Sequence, residues 1–360
     1  MQVLLLGDDF TDPNQRQVLS AFLELLDTTR IHPCVCALHA PTDALIDYSL
    51  QSNLRLGVDA VQLLLKLCHE LDIELIHVLS PHVALTGIAA ARLADIAVTV
   101  ECAYAPLRQD ISRVENLRFA LRWKLIGHGA HKLLTPNGVV KRNLIALTAI
   151  PAAKVDVVYP AYPLPPSEPP SREALGLPEG HLIACHPPPI LDDSYTQLFE
   201  VQSRLHKRGT ETTLIVLGEG ETVALMRSQI ASVRPSPPVR WFPKRADILP
   251  VMSACDVVVD CVSRDYIPEG LIYAMLTSRP IVATRQTGIA DLLDPNVAAL
   301  LVAPDDPGDM ALQVNRLLQY EGLAHRLGSA AYKRGMERFS PAAHARAFTE
   351  FCESAVYCVR

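Results

Sequence analysis

The sequence predicts an α/β protein of two doubly wound, Rossmann-like domains facing across a cleft. Three observations lead there. Short Val/Ile/Leu-rich runs alternate with apolar residues at helical spacing along the chain, the pattern of parallel strands joined by crossover helices. A proline-rich segment interrupts that alternation once, near the middle. The chain has 360 residues, which suits about two domains at the usual length of roughly 150 residues each.

In chain order, "QVLLLGDD" reads as a strand and "NQRQVLSAFLELLD" as an amphipathic helix. "HPCVCALHA" reads as a strand whose Cys34 and Cys36 share a face. "ELIHVLS", "IAVTVEC", "KLLTPN" and "VDVVYP" are further strands, with "VALTGIAAARLA" a helix between the first two. Six prolines then fall between Pro163 and Pro178. Proline fixes φ and lacks an amide donor, so this stretch reads as an exposed linker. The domains are therefore expected at 1–165 and 166–340, with a closing helix at 341–358 crossing back onto the first. After the linker come "HLIACHP", "TTLIVLGEGE", "PVRWFP", "DVVVDCV", "RPIVATR" and "ALLVAP" as strands, separated by helical patterns.

Composition narrows the function. Hydrophobic residues make up 49% of the chain, enough for a large core. The 33 basic and 39 acidic residues give a net charge of −6, which argues against nucleic acid as a main partner. No run of like charges and no basic amphipathic stretch stands out. Nine cysteines without paired spacing read as reduced thiols, and two neighbouring cysteines do not make a zinc site. The N-terminus opens directly on a strand and no apolar run reaches 18 residues, so a cytoplasmic protein is expected. Contact with a membrane surface stays open. There is no GxxxxGK[ST] loop, no GxGxxG after a strand, and no glycine-flanked serine elbow around Ser80 or Ser263.

The stretch "IPEGLIYAMLTSRPIVATRQTGIADLL", residues 267–293, carries the densest chemistry. Pro268 suits the start of a helix and Glu269 follows at its positive end, with Tyr273 one turn on. Gly288, next to Thr287, lets a backbone approach a ligand before the next helix begins. From the residues alone, a nucleotide pocket and an ordinary capped helix beside a tight turn are equally good readings.

The segment from "DYIPEGLIYAML" to "GDMALQVNRLL" resembles the donor-site half of the family-4 retaining glycosyltransferases, which have the GT-B fold. "RWFPKRADILPVMSACDVVVDCV", "LIVLGEGE", "ELIHVLSPHVALTGIAAARLADIAVTV", "AKVDVVYPAYP" and "RFSPAAHARAFTEF" are similar to other parts of that family, in the same order. The resemblance implies a nucleotide-sugar co-substrate in the second domain, and a carbohydrate, lipid or small-molecule acceptor over the first. It implies transfer with retention, the leaving diphosphate being neutralised by a basic pair and helix N-termini rather than by a metal; no other cofactor is implied.

Several positions depart from the family pattern. Its two donor-motif glutamates fall at Asp265 and Tyr273. Its Arg and Lys after the first strand of the second domain fall at His186 and Leu191. A glycine turn after the first strand is replaced by a loop with Asp8, Asp9 and Asp12, and a histidine after "VTV" is replaced by Glu101 and Ala103. Glu269, Asp265 and Tyr273 are then expected on the ribose and sugar side, and Thr287 and Gly288 near the phosphates. His186, Lys244 and Arg245 are the remaining sources of positive charge, although Lys244 and Arg245 read equally as solvated loop charges, and Gly218 and Glu219 read either as amides near a base or phosphate or as a plain turn before a helix. The same substitutions leave a second reading, a glycosyltransferase-like binding or scaffolding protein without transfer activity. His77 and His82 read as structural histidines ahead of acceptor contacts, and His128 and His131 as helix-end and turn residues.

Overall fold

The computed structural model describes residues 1–10, 13–39, 41–50, 57–105, 112–188, 191–230, 233, 236–243, 248–262 and 266–359. The chain forms two compact units, Met1–Ala161 with Pro341–Arg360, and Tyr162–Ser340.

Unit 1 is a seven-stranded sheet in the order β3-β2-β1-β4-β5-β6-β7. Its strands are β1 (Gln2–Gly7), β2 (His32–Ala37), β3 (Tyr48–Ser49), β4 (Leu75–Val78), β5 (Ala97–Glu101), β6 (Lys132–Thr135) and β7 (Val155–Val157). All pairings are parallel. Helices α1 (Pro13–Leu25), α2 (Val58–Glu70), α3 (Ala84–Ala94), α4 (Arg113–Gly129) and α5 (Gly138–Thr148) join the strands. Parallel strands buried on both faces need continuous apolar runs, and β1 and β4 supply them, with Val3 to Leu6 and Leu75 to Val78 buried throughout.

One face of the sheet, built on Leu4, Leu6, Ile76 and Val98, is covered by α2 to α5. The other, built on Val3, Leu5, Leu75 and Ala97, is closed by α1 and the last helix of the chain, which brings Phe348, Phe351 and Cys352. His77 belongs to this second core. Its Nδ1 stands 2.8 Å from Thr99 Oγ1, and its ring packs edge-on against Phe348 at 4.9 Å. Burial, then the charge of His344, press its pKa down to about 3, so it is a neutral core residue. His131 accepts from Val98 N and His128 Nδ1 meets Lys124 O, placing both at turn and helix-end positions. Cys34 and Cys36 lie together in the first core and burial pushes both thiols up to about 12.

Unit 2 has a six-stranded parallel sheet in the order β10-β9-β8-β11-β12-β13. The strands are β8 (His181–Cys185), β9 (Thr212–Leu217), β10 (Val239–Phe242), β11 (Val257–Asp260), β12 (Ile281–Thr284) and β13 (Leu300–Val302). The connecting helices are α6 (Leu198–Lys207), α7 (Glu221–Ile230), α8 (Ile248–Ser253), α9 (Glu269–Leu276), α10 (Thr287–Leu293), α11 (Pro307–Gln319) and α12 (Glu321–Phe339). The chain ends in α13 (Pro341–Tyr357), which belongs to unit 1. The proline-rich stretch has no helix or strand and is mostly exposed, as expected from its missing amide donors.

α4 departs from the expectation of no basic amphipathic stretch. Trp123 and Ile126 face the core, yet Val114, Leu117, Leu121 and Leu125 are exposed among Arg118, Arg122 and Lys124. Apolar residues on two opposite faces cancel any single helical period, so the stripe does not stand out along the sequence.

Candidate functional site

In an open parallel sheet, the strand order reverses at one point, and the loops leaving the carboxyl ends of the strands there diverge and open a crevice. In unit 2 that point lies between β8 and β11. The loop after β8 begins with His186, β11 ends in Asp260, and the segment after β11 leads into α9.

Two glycines let these parts close on His186. A Cβ at Gly270 would stand 2.7 Å from His186 Cβ and 3.1 Å from its carbonyl oxygen, so only glycine allows the first turn of α9 to lie against this backbone. Gly218, at the end of β9, has φ +91, and a Cβ there would stand 3.4 Å from His186 Nε2. Its amide donates to Phe242 O at 2.8 Å, tying the turn to β10. Across from it, the Tyr273 ring meets the His186 ring at 5.7 Å and the Tyr162 ring at 5.6 Å, both edge-on.

Pro268 precedes α9 as its N-cap, with φ −68 and no side-chain hydrogen bond to the first amides. Those amides and the helix dipole give the start of α9 a partial positive charge. Glu269 is exposed at that end, whereas Gly270 to Leu276 are all buried. Glu269 and Tyr273 are four residues apart, about 40° around the helix, and they straddle its boundary: Tyr273 is 3% exposed and packs inward. Gly288 is buried in the first turn of α10, after Gln286, which makes no side-chain cap. Glu219 is exposed beside Gly218.

The structure thus brings His186, Gly218, Gly270 and Tyr273 into one cluster and places Glu269 at its helix mouth. Asp265, Lys244 and Arg245 lie outside the described residues, as do Ser263 in unit 2 and Asp12 in unit 1. Leu191 is exposed. Among the described residues, a cation that sequence reasoning passed over is Arg285, just past the carboxyl end of β12, whose Nη2 stands 3.4 Å from Leu301 O.

A buried polar network underlies the loop. Tyr195 Oη donates to Asp260 Oδ2 at 2.7 Å, and Val262 N donates to Asp260 Oδ1 at 3.0 Å. Ser194 Oγ donates to Asp192 Oδ1 or to Cys261 O, and Thr222 Oγ1 accepts from Asp192 N. Burial raises the Asp260 carboxyl to about 6 against the two hydrogen bonds that lower it. These contacts pin the β8–α6 loop to the end of β11 and so set where His186 stands. Neither Gly270 nor this network was read from the sequence. The adjacent "PEG" was the available signal for the first; the second joins residues 65 apart and leaves none.

In unit 1 the loop after β1 holds Asp8, 3.4 Å from His39 Nε2. A Cβ at Gly7 would collide with the Phe10 ring, which folds back over this position. Glu101 ends β5, and burial raises its carboxyl to about 7.

The two Rossmann-like sheets define the class: this is the GT-B fold. A computed comparison with solved structures aligns 98% of the chain with all of Anabaena HepE bound to UDP (TM-score 0.76, 18% identity). It aligns 99% with 98% of a glycosyltransferase from Rickettsia africae (TM-score 0.75, 14% identity). Within this fold, residues 192–320 match the family described as glycosyl transferases group 1. The 2-deoxystreptamine glucosyltransferase of Streptomyces kanamyceticus is 25% identical over 249 residues. That match spans 65% of this chain and 64% of the relative's length.

Proposed function

We propose that the protein is a glycosyltransferase that takes its sugar from a nucleotide-sugar, with retention at the anomeric carbon and without a metal. The observation that carries this is that the group 1 match at residues 192–320 takes in β11, α9 and α10 on one side of the switch point in the unit 2 sheet. The proposed donor is a UDP-sugar, in keeping with the UDP bound to HepE. Its acceptor would be a carbohydrate, lipid or small molecule, and its place the cytoplasm.

In this reading Glu269 accepts hydrogen bonds from sugar or ribose hydroxyls at the mouth of α9. The first turn of α9, with Thr287 and Gly288 at the start of α10, faces the diphosphate. His186 supplies a hydrogen-bond donor, and Tyr273 holds its ring in place. Asp265, Lys244, Arg245, Gly218 and Glu219 complete the donor site as the family resemblance orders them. A preorganised donor to a developing anion is typically worth about 2.7–4 kcal/mol of barrier, so His186→Ala should lower kcat by a hundredfold or more.

Titrating the protein with UDP, GDP, ADP, dTDP and their sugar conjugates by calorimetry tests this. Micromolar binding of one nucleotide, weakened at least tenfold in Glu269→Ala, is the expected result. A folded protein that binds none of them is not a transferase of this kind. His186 and Leu191 in place of Arg and Lys favour a second reading, a nucleotide-sugar-binding protein that does not transfer. Binding without turnover over a broad acceptor panel would select it.

A further inference from the structure

We propose that the outer face of α4 is a docking surface for an anionic lipid bilayer, with the helix lying in the plane of the headgroups. Val114, Leu117, Leu121 and Leu125 are 60%, 59%, 60% and 59% exposed. Their spacing of three, four and four residues puts them in one stripe, which at 1.5 Å per residue runs about 16 Å. The opposite face carries Trp123 and Ile126 into the core, so α4 is fixed in the fold and its stripe cannot turn inward. Soluble surfaces show scattered apolar residues, but an aligned row of four large ones marks a contact site.

Charge selects the occupant. Arg118 and Arg122 border the stripe on one side and Lys124 on the other, all exposed. Arg122 Nη2 also stands 3.3 Å from His82 Nδ1, which holds it along the helix. Glu115 is engaged by the Ser112 capping box at the N-terminal end. This is a local excess of positive charge on a chain of net charge −6. A second copy packed on the same stripe about a twofold axis would set a basic edge against a basic edge, arginine facing arginine or lysine. A bilayer of anionic lipid accepts both parts at once, the leucines below the headgroups and the guanidiniums among the phosphates. Among the described residues no helix is long and apolar enough to cross a membrane, so the contact is a surface one.

The test is flotation of the full chain with vesicles of phosphatidylcholine alone, and of phosphatidylcholine with about 30 mol% phosphatidylglycerol, the latter composition chosen to give a surface potential of the physiological kind. The expected result is co-flotation with the anionic vesicles only, reversed by high salt. Leu121→Glu/Leu125→Glu should reduce the vesicle-bound fraction about tenfold or more, and Arg118→Gln/Arg122→Gln by roughly tenfold. All four positions are exposed, so the melting temperature should not move, which separates lost docking from lost folding. Absence of flotation, equal flotation with neutral vesicles, or flotation of Leu121→Glu/Leu125→Glu like the parent would each overturn the proposal. So would a dimer in vesicle-free solution that this double variant dissolves, since the stripe would then belong to a second copy. None of these readouts depends on the transfer reaction.

Discussion

Replacing Gly270 by alanine probes the joint on which the candidate site is built. The new methyl would meet His186 Cβ at 2.7 Å, its carbonyl oxygen at 3.1 Å and its Cα at 3.5 Å. Carbon–carbon contacts are comfortable from about 3.5 Å, so the closest one must open by roughly 0.8 Å. Two of the three atoms are backbone, and no rotamer change moves them away. Overpacking of this kind costs about 1–3 kcal/mol. Alanine recovers up to about 1 kcal/mol over glycine in a helix. The net loss should be about 1–2 kcal/mol, a fall in melting temperature of roughly 2–8 °C for a domain of this size. Urea unfolding, with an unchanged slope, measures the stability, and a UDP titration measures whether His186 and the mouth of α9 have separated. Gly322, early in α12, has nothing within 4 Å of its own missing Cβ. Gly322→Ala is therefore the control and should be neutral or slightly stabilising. If Gly270→Ala proves as stable as Gly322→Ala and binds UDP equally well, α9 does not rest on His186 in the way described.

Tyr195→Phe removes the 2.7 Å bond to Asp260. That carboxyl is raised from 3.8 to about 6 by burial, so its contribution to stability is greatest below about pH 4 and is lost as pH rises through 6. The hydroxyl supports the charged form; the variant should lose about 1–3 kcal/mol at pH 8 and clearly less at pH 4, and equal losses in urea melts at both would contradict this. Glu101 is raised from 4.5 to about 7, so the native protein should lose stability between those values as pH rises. Glu101→Gln should flatten that part of the curve and be about 1–3 kcal/mol more stable than the parent at pH 8; an unchanged slope would show that the carboxylate is solvated. Gly218→Ala should destabilise by about 1–2 kcal/mol, because φ +91 is strained for a side chain and the methyl touches His186, and a neutral thermal melt would refute it.

Local physics made much of this legible. Alternating strand and helix patterns gave the two parallel sheets, because burial on both faces forces continuous apolar strands. Pro268 and Glu269 announced the start of α9 from dipole and proline geometry. His77 read as structural, and its place between Thr99 and Phe348 agrees. What stayed hidden depends on contacts through space. Gly270 looked like part of a helix start until His186, 84 positions earlier in sequence, proved to lie against it. The Tyr195–Asp260 bond likewise joins distant segments. On α4 the obstacle was periodicity, since its leucines serve one face and its tryptophan the other.

The return of α13 to unit 1 bears on the order of synthesis. Unit 2 is continuous and can fold as soon as Ser340 has left the ribosome. Unit 1 is made first but cannot close its second core, because Phe348, Phe351 and Cys352 arrive last. Until they do, α1 is the only described helix over this face, and His77 and Phe22 lack their aromatic partners from α13. A nascent chain stalled before residue 341 should therefore expose an apolar sheet face in unit 1 even though unit 2 is finished.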